Sequence, residues 1–302
     1  MFTEERQAQI LSIVNDKKSV SVHELSQTLF VSDATIRRDL TAMEKAGLIK
    51  RSHGGAVLFE STNDESSILI REQENIREKK MIAELAMEFV RSNYTIFMDS
   101  SSTTGTVIPL LKQYKYLSVV TNGLKNAILL SQRTNAKIYM TSGVINNQSN
   151  SIVGSDTIAY LNRLHADLVL FSCSGITLES GITDASFEQS NLKQVMIKNS
   201  KIKVLLCDSS KFDNTYLCRT CGFEDIDYII TNKRPDQAYL RAAEAAECTI
   251  IYPHDEPEEL LEDQGEQTTF QSLAELAEML KDTPDDLADT EESDFEEEDT
   301  EV

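Results

Sequence analysis

The residues most able to do chemistry on a polyanion are Thr35, Arg37 and Arg38, inside the run Ser32-Asp33-Ala34-Thr35-Ile36-Arg37-Arg38-Asp39-Leu40. A hydroxyl and two guanidinium groups supply donors for base edges and phosphate oxygens. Neighbouring residues on a helix point about 100° apart, so Arg37 and Arg38 take different targets, one of them phosphate. A second basic group follows at Lys50-Arg51, leading into His53-Gly54-Gly55-Ala56. A third set, Asp99-Ser100-Ser101-Ser102-Thr103-Thr104-Gly105, places hydroxyl side chains in succession. Ahead of a helix, hydroxyls and backbone N–H groups form a cradle for phosphate, although a single hydroxyl is enough for an ordinary cap.

Each group needs elements to hold it. Ser32 caps the helix that carries Arg37, and Asp33 complements its dipole. Ile36, Leu40 and Met43 fall at i, i+4 and i+7, an apolar stripe that leaves Thr35, Arg37, Arg38 and Thr41 outside. An earlier short helix has Val22, Leu25 and Leu29 on one side, and Phe30-Val31 makes the turn, which is helix-turn-helix spacing. Gly47 is placed to end the second helix, and Lys50 to Ala56 reads as a two-stranded wing. A first helix from Thr3 to about Asn15 adds Ile10, Leu11 and Val14 to the core.

Beyond a polar linker at 58–74, a helix is predicted from Asn75 to Arg91. Strands are predicted at Thr95–Met98, Leu117–Val120, Lys137–Met140, Asp167–Phe171, Lys203–Cys207, Tyr228–Ile230 and Thr249–Ile251. Between them come helices near Thr106–Lys112, Leu124–Gln132, Asp156–Arg163 and Glu188–Asn199, and a last one opened by Pro235. This alternation predicts an α/β domain with a mostly parallel sheet covered on both faces. Ligands in such folds sit beyond the C-terminal strand ends. Small, hydroxyl and amide residues recur there: Asp99–Thr104, Thr121-Asn122-Gly123, Ser142-Gly143, Ser172–Ile176 and Asp208-Ser209-Ser210-Lys211-Phe212. Lys211 could neutralise a phosphate as a point charge, and Lys193 is a second candidate, although a lysine on such a helix is commonly a solvated charge.

The 302 residues suggest two domains at about 150 residues each. The net charge of −21 runs against nucleic-acid binding until it is divided. Residues 255–302 hold 21 acidic residues and one basic one, whereas 1–254 hold 29 acidic and 28 basic. The tail therefore reads as a separate acidic, disordered segment. It is a solvated extension, a competitor with DNA for the basic face, or a docking segment for a partner. Its Ser272–Lys281 stretch has the spacing of a short amphipathic helix. The N-terminus is charged and no apolar run reaches the ~18 residues of a membrane span, so no membrane partner and a cytoplasmic location are expected. The five cysteines, Cys173, Cys207, Cys218, Cys221 and Cys248, read as buried thiols. Cys218-Arg219-Thr220-Cys221 lacks the second ligand pair of a structural zinc, so neither a metal site nor a cofactor is expected.

Thr35-Ile36-Arg37-Arg38-Asp39-Leu40, Lys50-Arg51 and His53-Gly54-Gly55-Ala56 together resemble the N-terminal signature of the DeoR family of bacterial transcription regulators. Asp99–Thr104, Thr121-Asn122, Gly154, Gly175-Ile176, Gly181-x-Thr183 and Asp208–Phe212 resemble its later blocks. The resemblance covers residues 1 to about 252. It implies a winged helix-turn-helix at 1–57 and a sugar-phosphate-sensing α/β domain at 75–254, similar to ribose-5-phosphate isomerase. It further implies operator DNA as partner, a homo-oligomer (dimer or tetramer), and most often repression released by a phosphorylated sugar. The DNA-contact candidates are Ser32, Thr35, Arg37, Arg38, Lys50, Arg51, His53 and Gly54. The effector candidates are Asp99, Ser101, Ser102, Thr103, Thr104, Thr121, Asn122, Gly175, Lys193 and Lys211. Ser101, Ser142 and Ser172-Cys173 depart from the family's smaller residues, which bears on which effector fits. An isomerase-like enzyme with an attached DNA-binding domain is the alternative. Against it, no carboxylate lies in Ser172–Ile176, and Asp99, Asp184 and Asp208 are far apart in sequence, so no catalytic residue is assigned.

Overall fold

The computed structural model describes residues 3–45, 48–52, 54–57 and 68–253. The N-terminal part is α1 (Thr3–Lys17), β1 (Ser19–Ser21), α2 (Val22–Leu29), α3 (Asp33–Lys45), β2 (Lys50–Ser52) and β3 (Gly55–Val57). Its core holds Ile10, Leu11, Val14, Val22, Leu25, Leu29, Ile36, Leu40 and Met43, all the apolar positions expected from the helical spacing. β2 and β3 form the expected wing, and β1 adds a third antiparallel strand to it. That strand was not expected, since three residues, Ser-Val-Ser, give too short a run to show alternation. The wing must pass close to β1: a Cβ on Gly55 would lie 2.1 Å from the Val20 carbonyl oxygen. Gly47 and His53 lie outside the described residues, as do the 58–67 part of the linker and the whole acidic tail from 255.

The second part begins with α4 (Ile68–Arg71) and α5 (Ile76–Ala86), then runs β4 (Thr95–Met98), α6 (Ser102–Gly105), β5 (Ser118–Thr121), α7 (Leu124–Arg133) and β6 (Lys137–Met140). A hairpin, β7 (Val144–Asn146) and β8 (Ser151–Val153), precedes α8 (Ser155–Leu161) and β9 (Ala166–Phe171). Then come β10 (Gly175–Thr177), β11 (Gly181–Asp184), α9 (Phe187–Lys198), β12 (Ser200–Leu206), β13 (Cys218–Cys221), β14 (Tyr228–Ile230), α10 (Gln237–Ala245) and β15 (Thr249–Ile251).

Seven strands form one parallel sheet in the order β15-β14-β12-β9-β4-β5-β6. The chain winds outward from β4 in one direction and from β9 in the other. The switch point lies between them, the place where doubly wound sheets open a crevice. Phe97, Val169, Phe171 and Leu205 are fully buried on this sheet, which carries the near-continuous apolar strands of a sheet covered on both faces.

The helix expected near Thr106–Lys112 is instead α6 followed by a 3₁₀ segment, Ile108–Gln113. Pro109 has no N–H for the α-helical ladder, so a tighter turn takes its place. The helix expected to run to Arg91 ends at Ala86 and tightens into a 3₁₀ turn at Met87–Phe89. Pro235 does not open the last helix; it stands just before the Asp236 cap, whose carboxylate accepts from the Ala238 N–H. Cys218 and Cys221 sit on β13 in a small antiparallel sheet, ordered β10-β11-β13, and all five cysteines are buried free thiols. Positions three apart on a strand face opposite sides, which is unsuited to a shared metal or a redox pair.

Candidate functional site

The first surface is built on α3. Ser32 caps it as expected, its Oγ accepting from the Thr35 N–H at 3.3 Å and lying 3.0 Å from Thr35 Oγ1. Arg37 and Arg38 are exposed, as are Lys50, Arg51 and Gly54 in the wing. Arg51 joins wing to helix: its Nη1 donates to Thr41 Oγ1 at 3.1 Å and its N–H to Glu44 Oε1 at 3.0 Å. The Gly54 carbonyl accepts from the Val22 N–H at 2.8 Å, fixing the wing to the first helix of the motif. Gly54 has φ 115°, a conformation an L side chain rarely adopts.

Asp39 is 3% exposed and grips Arg6 of α1, Nε to Oδ2 at 2.5 Å and Nη2 to Oδ1 at 3.1 Å. The hydrogen bond to Asp39 raises the Arg6 pKa further. A two-point pair of this kind fixes angle as well as distance, so it sets the tilt of α3 against α1. Asp39 received no role from the sequence, although its place on the apolar side of α3 was a signal.

The second site is a recess beyond the ends of β4 and β9, at the switch point. Asp99, Ser101, Ser102, Thr103, Lys193 and Lys211 line it, as do Ser100, Ser172, Cys173 and Gln189. Asp99 organises the serine loop. Its Oδ1 accepts from the Ser101 N–H at 3.0 Å, Ser101 Oγ at 2.7 Å and Thr104 Oγ1 at 2.9 Å, and its Oδ2 accepts from the Ser172 N–H at 3.0 Å. Lys193 is buried rather than solvated: its Nζ lies 2.7 Å from Asp184 Oδ1, 3.6 Å from Asp99 Oδ2 and 2.6 Å from the Ser172 carbonyl oxygen. The carboxylates that are remote in sequence thus meet in space, and Asp208 reaches the same recess.

Four of the expected residues do not line it. Thr104 is fully buried beneath the loop, and Thr121 accepts from the Gly123 N–H at 3.1 Å. Asn122 donates to the Ile152 carbonyl at 3.2 Å. Gly175 packs where a Cβ would meet the Asn214 carbonyl oxygen at 2.2 Å. These four shape the surrounding loops.

One wall was not foreseen at all. Arg71, Glu74, Asn75 and Lys79, from α4, its following turn and α5, complete the recess. Lys79 is 4% exposed, and its Nζ donates to the carbonyls of Arg71 and Glu74. Burial lowers its pKa to about 8; Asp208 and Glu74 pull it back up, and Lys211 and Arg71 push it down. The only sequence signal was a lysine next to the apolar stripe of α5.

Two family models match. DeoR-like helix-turn-helix domain covers residues 6–62, and DeoR C terminal sensor domain covers 74–233. The HTH-type transcriptional regulator GolR of Listeria innocua is 35% identical over 241 residues, 80% of this chain and 95% of its own. The HTH-type transcriptional regulator GlpR of Haloferax volcanii is 31% identical, covering 83% of this chain and 98% of its own. The glycerol-3-phosphate regulon repressor of Haemophilus influenzae is 29% identical, covering 77% and 92%. Among solved structures, ribose 5-phosphate isomerase from Plasmodium falciparum superposes with a TM-score of 0.33 at 15% identity, over 44% of this chain and 52% of that one, too remote to bear on chemistry. Among the described residues no helix is long and apolar enough to cross a membrane. With both domain models matched in order and the likeness running through most of the chain, the protein is a member of the DeoR family, a DNA-binding transcriptional regulator and not an enzyme.

Proposed function

We propose that the protein is a cytoplasmic repressor of a sugar-metabolism operon, released from its operator by a phosphorylated sugar. In this reading residues 1–57 bind DNA, 58–74 link and also lend Arg71 and Glu74 to the recess, and 75–254 supply the rest of the sensor, with two or four copies assembled so that several α3 helices reach repeated sites. Thr35, Arg37 and Arg38 meet bases and phosphates in the major groove. Ser32, Lys50, Arg51, His53 and Gly54 hold the adjoining backbone.

The observation that carries the sensing half is the convergence of Arg71, Lys79, Lys193 and Lys211 with the Ser100–Thr103 loop at the switch point. Cations and hydroxyls there suit a phosphate, and the carboxylates suit sugar hydroxyls. Of the expected effector residues, Asp99, Ser101, Ser102, Thr103, Lys193 and Lys211 take the direct role. Thr104, Thr121, Asn122 and Gly175 hold the loops around them. A relative named as the repressor of a glycerol-3-phosphate regulon supports a phosphorylated, hydroxyl-bearing effector. The effector releases DNA only by favouring the state that does not bind it.

The test is fluorescence anisotropy of the full-length protein on DNA from upstream of its own gene cluster. Salt is held fixed, because phosphate contacts make affinity steeply salt-dependent. Ribose 5-phosphate, glucose 6-phosphate, fructose 1-phosphate and glycerol 3-phosphate are added in turn. One of them is expected to release the DNA. Arg37→Ala is expected to weaken binding by about 1–3 kcal/mol, and wild-type affinity in that variant would refute the assignment of α3.

A further inference from the structure

α4 is a single helical turn attached on two sides. Ile70 is 1% exposed and belongs to the buried cluster of the N-terminal domain, with Ile10, Leu25, Ile36 and Leu40. The next residue, Arg71, lines the recess. Successive helical positions point about 100° apart, so one turn can present Ile70 to the DNA-binding core and Arg71 to the ligand pocket.

The strap Arg71–Asn75 that follows is fastened to the sensor by pocket groups. Lys79 Nζ donates to the carbonyls of Arg71 and Glu74. Asn75, in a left-handed conformation with φ 51°, donates from Nδ2 to Asp208 Oδ1 at 3.0 Å and Ser210 Oγ at 3.2 Å. Beside it, Glu72 pairs with Lys125, and the Ile68 N–H donates to the Gln148 carbonyl at 3.3 Å. Asp208 is 1% exposed, and its Oδ2 has no hydrogen-bond partner among the described residues. Lys79 gives two of its three N–H groups to the Arg71 and Glu74 carbonyls, and an anion on the third draws the ammonium toward the ligand and away from them. A ligand hydroxyl donates to the open Oδ2 of Asp208, the carboxylate whose Oδ1 holds Asn75. Filling the recess therefore acts on the fasteners of the strap, and the strap begins at the residue next to Ile70.

We propose that α4 and the strap Arg71–Asn75 carry the effector signal. Arg71 contacts the anionic group of the ligand, and the reset strap shifts Ile70 in the core beneath α3, changing the presentation of Arg37 and Arg38. This rests on the reading of the recess as the effector site.

The experiment uses the full-length protein and the four sugar phosphates named above. Calorimetry reads their binding, anisotropy reads the change they cause in DNA affinity, and amide exchange reads residues 68–75. In the wild type the active compound lowers DNA affinity about tenfold or more, within the usual range for coupled sites. It also changes amide exchange across 68–75. Ile70→Ala keeps the calorimetric affinity while the effect on DNA falls below about twofold. Arg71→Gln weakens the calorimetric affinity about tenfold, the loss of one charge-assisted contact. A compound that binds and releases DNA with unchanged exchange at 68–75 overturns the inference and leaves the pocket reading standing, as does wild-type coupling in Ile70→Ala. If Ile70→Ala fails to fold its DNA-binding domain, the exchange and Arg71→Gln arms decide. Calorimetry that finds no binding by any of the four overturns the pocket reading and this inference together.

Discussion

Lys79 makes the stability of the protein depend on alkaline pH in a direction that can be worked out. Its ammonium is buried against the Arg71 and Glu74 carbonyls and its pKa has fallen to about 8. Below that pH both folded and unfolded chains hold the proton, so the cost of burying the charge is constant and fully present. Between about 8 and the ordinary value of 10.5 the folded chain has lost the proton and the unfolded chain has kept it. The unfolded state then binds more protons, and stability from this group rises with pH. A displacement of this size corresponds to roughly 3 kcal/mol over the whole window. Other groups titrate in the same range, so the quantity to measure is a difference. Urea unfolding of the wild type and of Lys79→Met, followed by circular dichroism from pH 7 to 10.5, should show the wild type gaining roughly 2–3 kcal/mol on the variant. A difference that stays level across that range would refute the claim that the buried lysine is held at a cost. The same titration predicts weaker anion binding above pH 8, because the neutral amine no longer attracts the ligand.

Two further outcomes follow from single contacts. Lys193→Met leaves Asp184 and Asp99 buried without their shared cation; losing one partner of a buried pair costs about 3–5 kcal/mol, so the melting temperature should drop by roughly 10 °C. Adding Asp184→Asn should restore part of that loss, and a melting temperature near the wild type in the single variant would sink the assignment. Gly55→Ala forces a methyl to within 2.1 Å of the Val20 carbonyl oxygen; overpacking of this kind costs about 1–3 kcal/mol, so DNA affinity measured by anisotropy should fall while calorimetric sugar-phosphate binding holds.

The parts legible in the sequence were those encoded locally. Ile36, Leu40 and Met43 fix one helix face within eight residues, and Ser32 sits where only a cap is useful, so local spacing alone defines α3. The parallel strands were legible because runs such as Asp167–Phe171 are long and apolar. The three-residue strands β1, β7, β8 and β10 and the short strands β11 and β13 were not: they give too little length for periodicity, and their pairing comes from the tertiary surroundings. The recess was half legible. Its serine loop follows a strand and announces itself. Arg71 and Glu74 sit in a polar stretch that reads as linker and Asn75 at the expected start of the next helix, and nothing local says that they close one wall of the recess. The burial of Lys193 was not legible for a related reason. Its helix, α9, mixes polar and apolar residues around its circumference, so burial on one side is not written in the pattern. Only the approach of Asp184, nine residues away, makes it a core residue.

The charge arrangement of the recess says what kind of ligand it can discriminate. Arg71, Lys79, Lys193 and Lys211 face Glu74, Asp99, Asp184 and Asp208, four groups of each sign. A pocket balanced in this way does not attract anions by a net field. Affinity has to come from where each charge is held, and the holding differs from group to group. Lys193 is fixed between two aspartates and Asp99 is committed to the serine loop, so neither can give up its partner cheaply. Lys79 and Asp208 are the less committed pair. The lysine is bound by backbone carbonyls, and the aspartate keeps one oxygen without a partner among the described residues. A ligand with a phosphate and a hydroxyl can engage both at once, whereas free phosphate engages one. Those two groups are also the ones that tie down Arg71–Asn75. The side chains that would select a sugar phosphate over a bare anion are therefore the same ones that hold the strap in place, so selectivity and release of DNA then depend on one pair of residues.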